Sequence, residues 1–347
     1  MTDLYISDVS LLLPDGSVAL HQDVAVEQGV FKSIRPHGKP NAELPAGSQP
    51  DEMPGGCQPK TFIKGSGKLL MPPLADCHMH TGQQLLKGRI LDELPMIWTR
   101  IMLPFESTLT PEMMTLSAQL AALEMILSGT GAFIDAGSYH MEAAAAVYLE
   151  SGLRGILSAS TMDQPGLPDS IAQNAEEAIA QTDRLYDAFH GRGLLKVAYS
   201  LRSLLSCSPR LIKMAGERAE ERDTMLQAHM NEYPNEVNYY LQHFKCRPIE
   251  YLDSQGILSP RFLSAHSLLL SAREEELLAK RGSNVCHCPF SNCGKGAPDT
   301  PGLLSRGVTV GLGTDGAAHG GLSLWNEMKI FRSVMNVKWG VSTADPA

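Results

Sequence analysis

From about residue 68 onward, short apolar or β-branched runs alternate with stretches of helical periodicity. Eight such runs occupy 68–77, 130–136, 153–160, 194–201, 224–230, 261–267, 283–289 and 308–314. Amphipathic stretches lie between them at about 110–128, 139–151, 170–189, 208–221, 235–254 and 271–281. The clearest, TPEMMTLSAQLAALEMILS, carries its own punctuation: Thr110 as N-cap, Pro111 at the first helical position, Glu112 in the first turn and Gly129 past the end. Strands alternating with helices imply a parallel sheet, and eight units predict closure into a (β/α)8 barrel. A doubly wound open sheet is the competing α/β architecture. It calls for a glycine-rich turn after its first strand, whereas GSGKLL at 65–70 precedes a strand.

Ahead of the barrel pattern, residues 1–36 alternate apolar and polar positions around turn signals at Pro14-Asp15-Gly16 and Gln28-Gly29, which predicts three or four short antiparallel strands. Residues 37–60 are rich in Pro, Gly and polar side chains and read as a loop or linker. The expected division is therefore a small β domain with its linker at 1–67 and the barrel at 68–347.

Composition narrows the class. A chain of 347 residues with 43% hydrophobic and 19% charged residues is ordinary for a soluble globular protein, and its length suits one large barrel with an appendage. A formal charge of −9 without a Lys/Arg cluster argues against nucleic acid and anionic membranes as partners. The N-terminus MTDLYISDVS lacks a basic region followed by an apolar core, and no run is long enough to span a membrane. A cytoplasmic location is expected. Seven cysteines, spread from Cys57 to Cys293, then predict free thiols and not a disulfide framework. Cys286, Cys288 and Cys293 in CHCPFSNC suggest a structural zinc knuckle only superficially, because paired C-x2-4-C units are missing.

Chemistry in such a barrel gathers at the C-terminal ends of the strands. The first run ends in His78 and His80, which two-residue alternation points to the same side. The fifth ends in His229, followed by Glu232; the sixth ends in His266; the eighth runs into Asp315. A lone histidine at a strand end is commonly a hydrogen-bonded structural residue. Four histidines and an acid, each closing a predicted barrel strand, form a metal-site pattern. Three imidazoles and a carboxylate suit Zn2+ with a position left for water, and such water has a pKa of about 7. Glu232 lies three residues after His229, so the strand must end and the loop turn back before this carboxylate can face the site. No G-x-S-x-G elbow is present to support a serine nucleophile.

The segments MPPLADCHMH, HMNE, AHSLLLS, HCPFSN and GLGTDGAA, in this order, strongly resemble the amidohydrolase superfamily. The similar branch contains guanine deaminase, S-adenosylhomocysteine/5′-methylthioadenosine deaminase and the triazine hydrolases. The resemblance implies a (β/α)8 barrel with a small β domain, and a hydrolase that deaminates an aminated purine or related N-heterocycle. It implies one divalent metal, zinc or iron, held by His78, His80, His229 and Asp315. Glu232 and His266, with Asp315, would handle protons and the attacking water. A triazine-type hydrolase with another leaving group, or a non-catalytic homologue, stays open beside it.

Substrate contacts are implied more weakly. Gln83 matches a purine-contacting glutamine of guanine deaminases, and Arg202 in SLRSLLSCS matches their purine-binding arginine. An arginine fork can bond a ring carbonyl and its neighbouring nitrogen. Glu106 in LPFE matches a ribose-binding glutamate of the adenosine-type enzymes, and TDGAA also leans that way. Each of these has a plain structural reading too, as a salt bridge for Arg202 and a helix-end charge for Glu106. His140 and His319 are candidate pocket residues or ordinary loop residues, and His287 is expected to support the site from behind. In the family the chain continues past the eighth strand back to the N-terminal β domain, so the strands of 1–36 are expected to lack partners here, with an exposed edge. A homo-oligomer is expected where that domain is complete.

Overall fold

The computed structural model describes residues 2–38, 59–90, 97–316 and 320–340, and the chain divides into two compact units at Pro73/Leu74. The first unit is a five-stranded sheet. Strands β1 (Leu4–Leu12), β2 (Val18–Glu27) and β3 (Val30–Pro36) form an antiparallel meander. Gln28 and Gly29 join β2 to β3 with positive φ at both positions, as a two-residue hairpin turn requires. Ile6, Val9, Leu11 and Val24 form its core.

Two expectations are corrected here. Strand β4 (Thr61–Lys64) and strand β5 (Leu69–Leu70) run parallel to β1 and pair with it, so β1 has partners on both sides. In addition, the run 68–77 is not one strand. Pro72 and Pro73 interrupt it, since proline offers no N–H to a ladder and restricts the residue before it. Its first part belongs to the small sheet, and the first strand of the second unit is β6 (Leu74–His80).

The second unit is α/β, with two parallel five-stranded sheets. One contains β6, β7 (Thr130–Asp135), β8 (Arg154–Leu157), β9 (Leu195–Val197) and, beside β6, β15 (Asp315–Gly316). The other contains β10 (Tyr199–Leu201), β11 (Leu226–Met230), β12 (Phe262–His266), β13 (Asn284–His287) and β14 (Val310–Leu312). Only Ala198 separates β9 from β10, and only Gly313-Thr314 separates β14 from β15. Helices stand between the other consecutive strands of this unit. Thr110 accepts from Met113 N to cap the helix Pro111–Ser128, and Gly129 ends it at φ +81°. The stretch 235–254 is two helices, Pro234–Phe244 and Pro248–Ser254. Lys245 turns left-handed at φ 60° and Pro248 starts a new first turn, which together break the single helix that periodicity predicts. The helix Leu324–Trp339 follows the last strand, beyond the stretches where periodicity predicts one.

Candidate active site

Strand alternation brings His78 and His80 to one side of β6, and parallel neighbours bring the other groups to the same end. The nitrogens and carboxylate oxygens of His78, His80, His229 and Asp315 lie within 4.8 Å of one another. His80 Nε2 is 3.2 Å from His229 Nε2 and 3.2 Å from Asp315 Oδ1, and His78 Nε2 is 3.7 Å from the same oxygen. Donor atoms 2.0–2.2 Å from a tetrahedral ion lie about 3.3–3.6 Å apart, so the spacing fits. Both ring nitrogens of His78 are buried without a hydrogen-bond partner, which leaves a lone pair directed at nothing in the protein. Burial pushes the pKa values of His78 and His229 well down, so their rings are neutral and able to ligate. Burial opposes the charge of Asp315, but the hydrogen bond from His80 and the surrounding imidazoles outweigh it and hold the carboxyl well below its ordinary range.

A second group, Glu232 with His266, shares Asp315 within the same spread. Asn231 takes φ 50°, and this left-handed turn just after β11 swings Glu232 back toward the site. His266 at φ 65° and Asp315 at φ 59° are also left-handed, and such strained non-glycine residues gather where a site is held in place by its surroundings. Glu232 Oε2 lies 3.8 Å from His266 Nε2. Asn292 bridges two rings: its Oδ1 is 3.0 Å from His266 Nδ1 and its Nδ2 is 3.0 Å from His287 Nδ1. The amide therefore sets the His266 proton on Nδ1 and leaves Nε2, which has no partner, as an acceptor. His287 thus supports the site through Asn292.

Close approach explains two glycines of GLGTDG. A Cβ on Gly313 would come within 2.7 Å of the His78 carbonyl oxygen, and one on Gly316 would collide with Gln83 Oε1.

Arg202, Gln83 and Glu106 meet one another. Arg202 Nη2 and Gln83 Nε2 both donate to Glu106 Oε1, at 3.0 and 2.6 Å. Arg202 Nη1 donates to Gly137 O at 3.2 Å and to His80 Nδ1 at 3.0 Å. A guanidinium only donates, so this contact places the His80 proton on Nε2. Gln83 and Arg202 line a pocket of about 320 Å3 together with Glu232, His266, Asp315 and Lys295. Glu106 and His140 instead line a neighbouring cavity of about 400 Å3, where His140 Nε2 is 2.9 Å from Leu109 O. His319 lies outside the described residues.

Sequence reasoning missed Lys295, Ser291, Asn292 and Asp76. Lys295 Nζ donates to Glu232 Oε1 at 2.6 Å and to Ser291 Oγ at 3.0 Å, and Ser291 Oγ donates to Asp315 Oδ2 at 2.5 Å. Their common signal is position: three follow β13 and one sits in β6. Among the described residues neither metal-competent group contains a cysteine, and burial raises the thiol pKa values of Cys286 and Cys288. The six described cysteines are free, and Cys57 is outside them. No helix among the described residues is long and apolar enough to cross a membrane.

Residues 69–344 match the sequence profile of the Amidohydrolase family. Over 299 residues the chain is 36% identical to a 5′-deoxyadenosine deaminase of Methanothermobacter thermautotrophicus, covering 83% of this chain and 67% of that protein. Over 275 residues it is 33% identical to a 5-methylthioadenosine/S-adenosylhomocysteine deaminase of Thermococcus kodakarensis, covering 78% of this chain and 64% of the relative. The chain thus spans about two thirds of the length of these relatives. Among solved structures, an adenosine deaminase from Xanthomonas campestris with bound zinc aligns with a TM-score of 0.87 at 24% identity, over 99% of this chain and 76% of that one. A guanine deaminase from C. acetobutylicum, with guanine in its active site, aligns with a TM-score of 0.85 at 20% identity, over 99% and 81%. The likeness to both structures is one of fold.

Proposed function

The chain belongs to the amidohydrolase family, and from that membership we propose that it is a metal-dependent hydrolase that deaminates an aminated purine or a closely related N-heterocycle. The observation that carries this reading is the shared carboxylate. Asp315 stands at once in a His78/His80/His229 group fit for a metal and in a Glu232/His266 group fit for proton transfer. The proposal includes closure of the second unit into an eight-stranded barrel. It is supported by the β6–β15 pairing and by the near-continuity of β9 with β10 and of β14 with β15.

His78, His80, His229 and Asp315 would hold one divalent cation. The donor set favours zinc, and iron accepts the same ligands. Bound there, the cation would supply a water whose pKa is lowered to about 7. Glu232 takes a proton from the attacking water and returns it to the ring nitrogen beside the reacting carbon. Burial works to raise its pKa, but the neighbouring His266 and the charge and hydrogen bond of Lys295 outweigh that and hold the carboxyl below its ordinary value, in the form that accepts protons. His266, with Nε2 free, accepts from the attacking water and orients it. The second proton of that water passes to the amino group, which leaves the tetrahedral carbon as ammonia while the ring carbonyl forms.

His80 can offer Nε2 to a cation only with its own proton on Nδ1, where Arg202 now donates. Metal occupancy would therefore release Arg202 Nη1, on the pocket wall beside Gln83, for a ring carbonyl. That favours a guanine-like base. Similarity to the 5′-deoxyadenosine deaminase favours an adenosine derivative instead. Ammonia release from 5′-deoxyadenosine-type nucleosides, guanine, a pterin and an aminotriazine tests the proposal. Release from a purine supports it. Turnover confined to triazines, with a different leaving group, would replace it with the hydrolase alternative.

A further inference from the structure

Lys295 is half-buried beside the carboxylate assigned to proton transfer, and the reaction described above takes from it only its charge. Its backbone is pinned close to the site. Lys295 N donates to Asn292 O at 2.9 Å and Gly296 N to the same oxygen at 3.1 Å. Asn292 is the residue whose side chain bridges His266 and His287. Gly294 and Gly296 flank the lysine at φ +88° and +158°, so the loop turns sharply on both sides of it. The ammonium is then held by three contacts: Glu232 Oε1 at 2.6 Å, Ser291 Oγ at 3.0 Å and the face of Tyr233 with its centroid 5.4 Å away. Because Ser291 Oγ donates in turn to Asp315 Oδ2, a continuous hydrogen-bonded chain runs Glu232–Lys295–Ser291–Asp315.

We propose that Lys295 is a positioning residue for Glu232. By engaging Oε1 it leaves Oε2 as the oxygen on the side of His266 Nε2. It also supplies the positive charge that lets two carboxylates, Glu232 and Asp315, coexist in one buried site. Without it, repulsion between them and the cost of burying an unpaired charge would turn Glu232 away from the site. Methionine would keep the stem and remove the charge. Arginine would keep the charge and both kinds of contact.

This inference rests on the assignment of Glu232 as the proton carrier, and a double-mutant cycle separates the two. Lys295→Met, Lys295→Arg, Glu232→Gln and the double variant Glu232→Gln/Lys295→Met are compared with wild type in kcat, KM and bound metal. Positioning through Glu232 predicts that Lys295→Met lowers kcat about 100-fold, with KM and metal content near wild type. It predicts that Lys295→Arg restores a large part of kcat, and that Lys295→Met adds no further loss once Glu232 is glutamine. Additive losses in the double variant, a change confined to KM, or loss of metal from Lys295→Met would overturn it. Those results would make the lysine a general scaffold, a substrate contact or part of the metal site. Full activity in Glu232→Gln alone would instead overturn the assignment of Glu232.

Discussion

Thr314 donates to both oxygens of Asp76, from its backbone N–H to Oδ1 at 3.1 Å and from its hydroxyl to Oδ2 at 2.6 Å. His78 N donates to the same Oδ1 at 3.2 Å. One buried carboxylate thus fixes the strand that carries His78 and His80 against the residue that precedes Asp315. Thr314→Val removes the hydroxyl and leaves an acceptor unpaired, at a cost of about 1–3 kcal/mol. Metal affinity should fall about 10–100-fold, as it does when partners behind metal ligands are lost. Titration with a metal-sensitive dye checks this, and unchanged affinity would show that Asp315 is placed by other contacts.

His229→Ala removes one of three imidazoles from the quartet. Metal content should fall well below one per chain and turnover should vanish. Elemental analysis of the purified variant decides the first point. Full occupancy together with intact activity would exclude His229 from the site.

Glu232→Gln should keep the metal and lose about 10²–10⁴-fold in kcat, because an amide holds a similar shape but carries no proton between water and ring. Steady-state rates with metal measured on the same sample check it. A loss of only a few fold would mean that another group moves the proton.

Glu236, on the pocket wall, makes the fold pH-sensitive. Burial raises its pKa from 4.5 to about 8, with the charge of Glu232 adding to the effect. The folded protein holds this proton more tightly than the unfolded chain does, so this group's contribution to stability is full below about pH 4.5 and falls as pH rises toward about 8. Glu236→Gln should flatten that decline, seen as a smaller drop in Tm between pH 6 and pH 8.5. An identical drop in both proteins would remove Glu236 as its source.

Much of the site could be read from the chain because alternation and barrel topology act together. Side chains two apart at a strand end share a side, and parallel neighbours carry their own ends to the same place, so His78, His80, His229, His266 and Asp315 meet. Even the return of Glu232 was required by spacing, and Asn231 supplies it with a left-handed residue. What stayed hidden depends on contacts that no local pattern encodes. Arg202, Gln83 and Glu106 read as three separate substrate candidates, yet they saturate one another because their strand and loop ends converge. Lys295 sits in a glycine-flanked loop whose path no periodicity predicts. The fold shows the same division. The capped helix at 111–128 announces its own ends, whereas Pro72-Pro73 splits an apolar run between two units whose pairing is decided by distant strands.

In the proposed function one cation, held by the four-residue group around Asp315, is needed for hydrolytic deamination. The most direct measurement strips the protein with a chelator, adds zinc back in fractional equivalents and follows ammonia release from the best purine substrate. No ammonia is expected without metal, and recovery should be linear and stop at one equivalent per chain, with His229→Ala recovering nothing at that level. Ammonia release that persists in the stripped protein, or full recovery of His229→Ala at one equivalent, would contradict it.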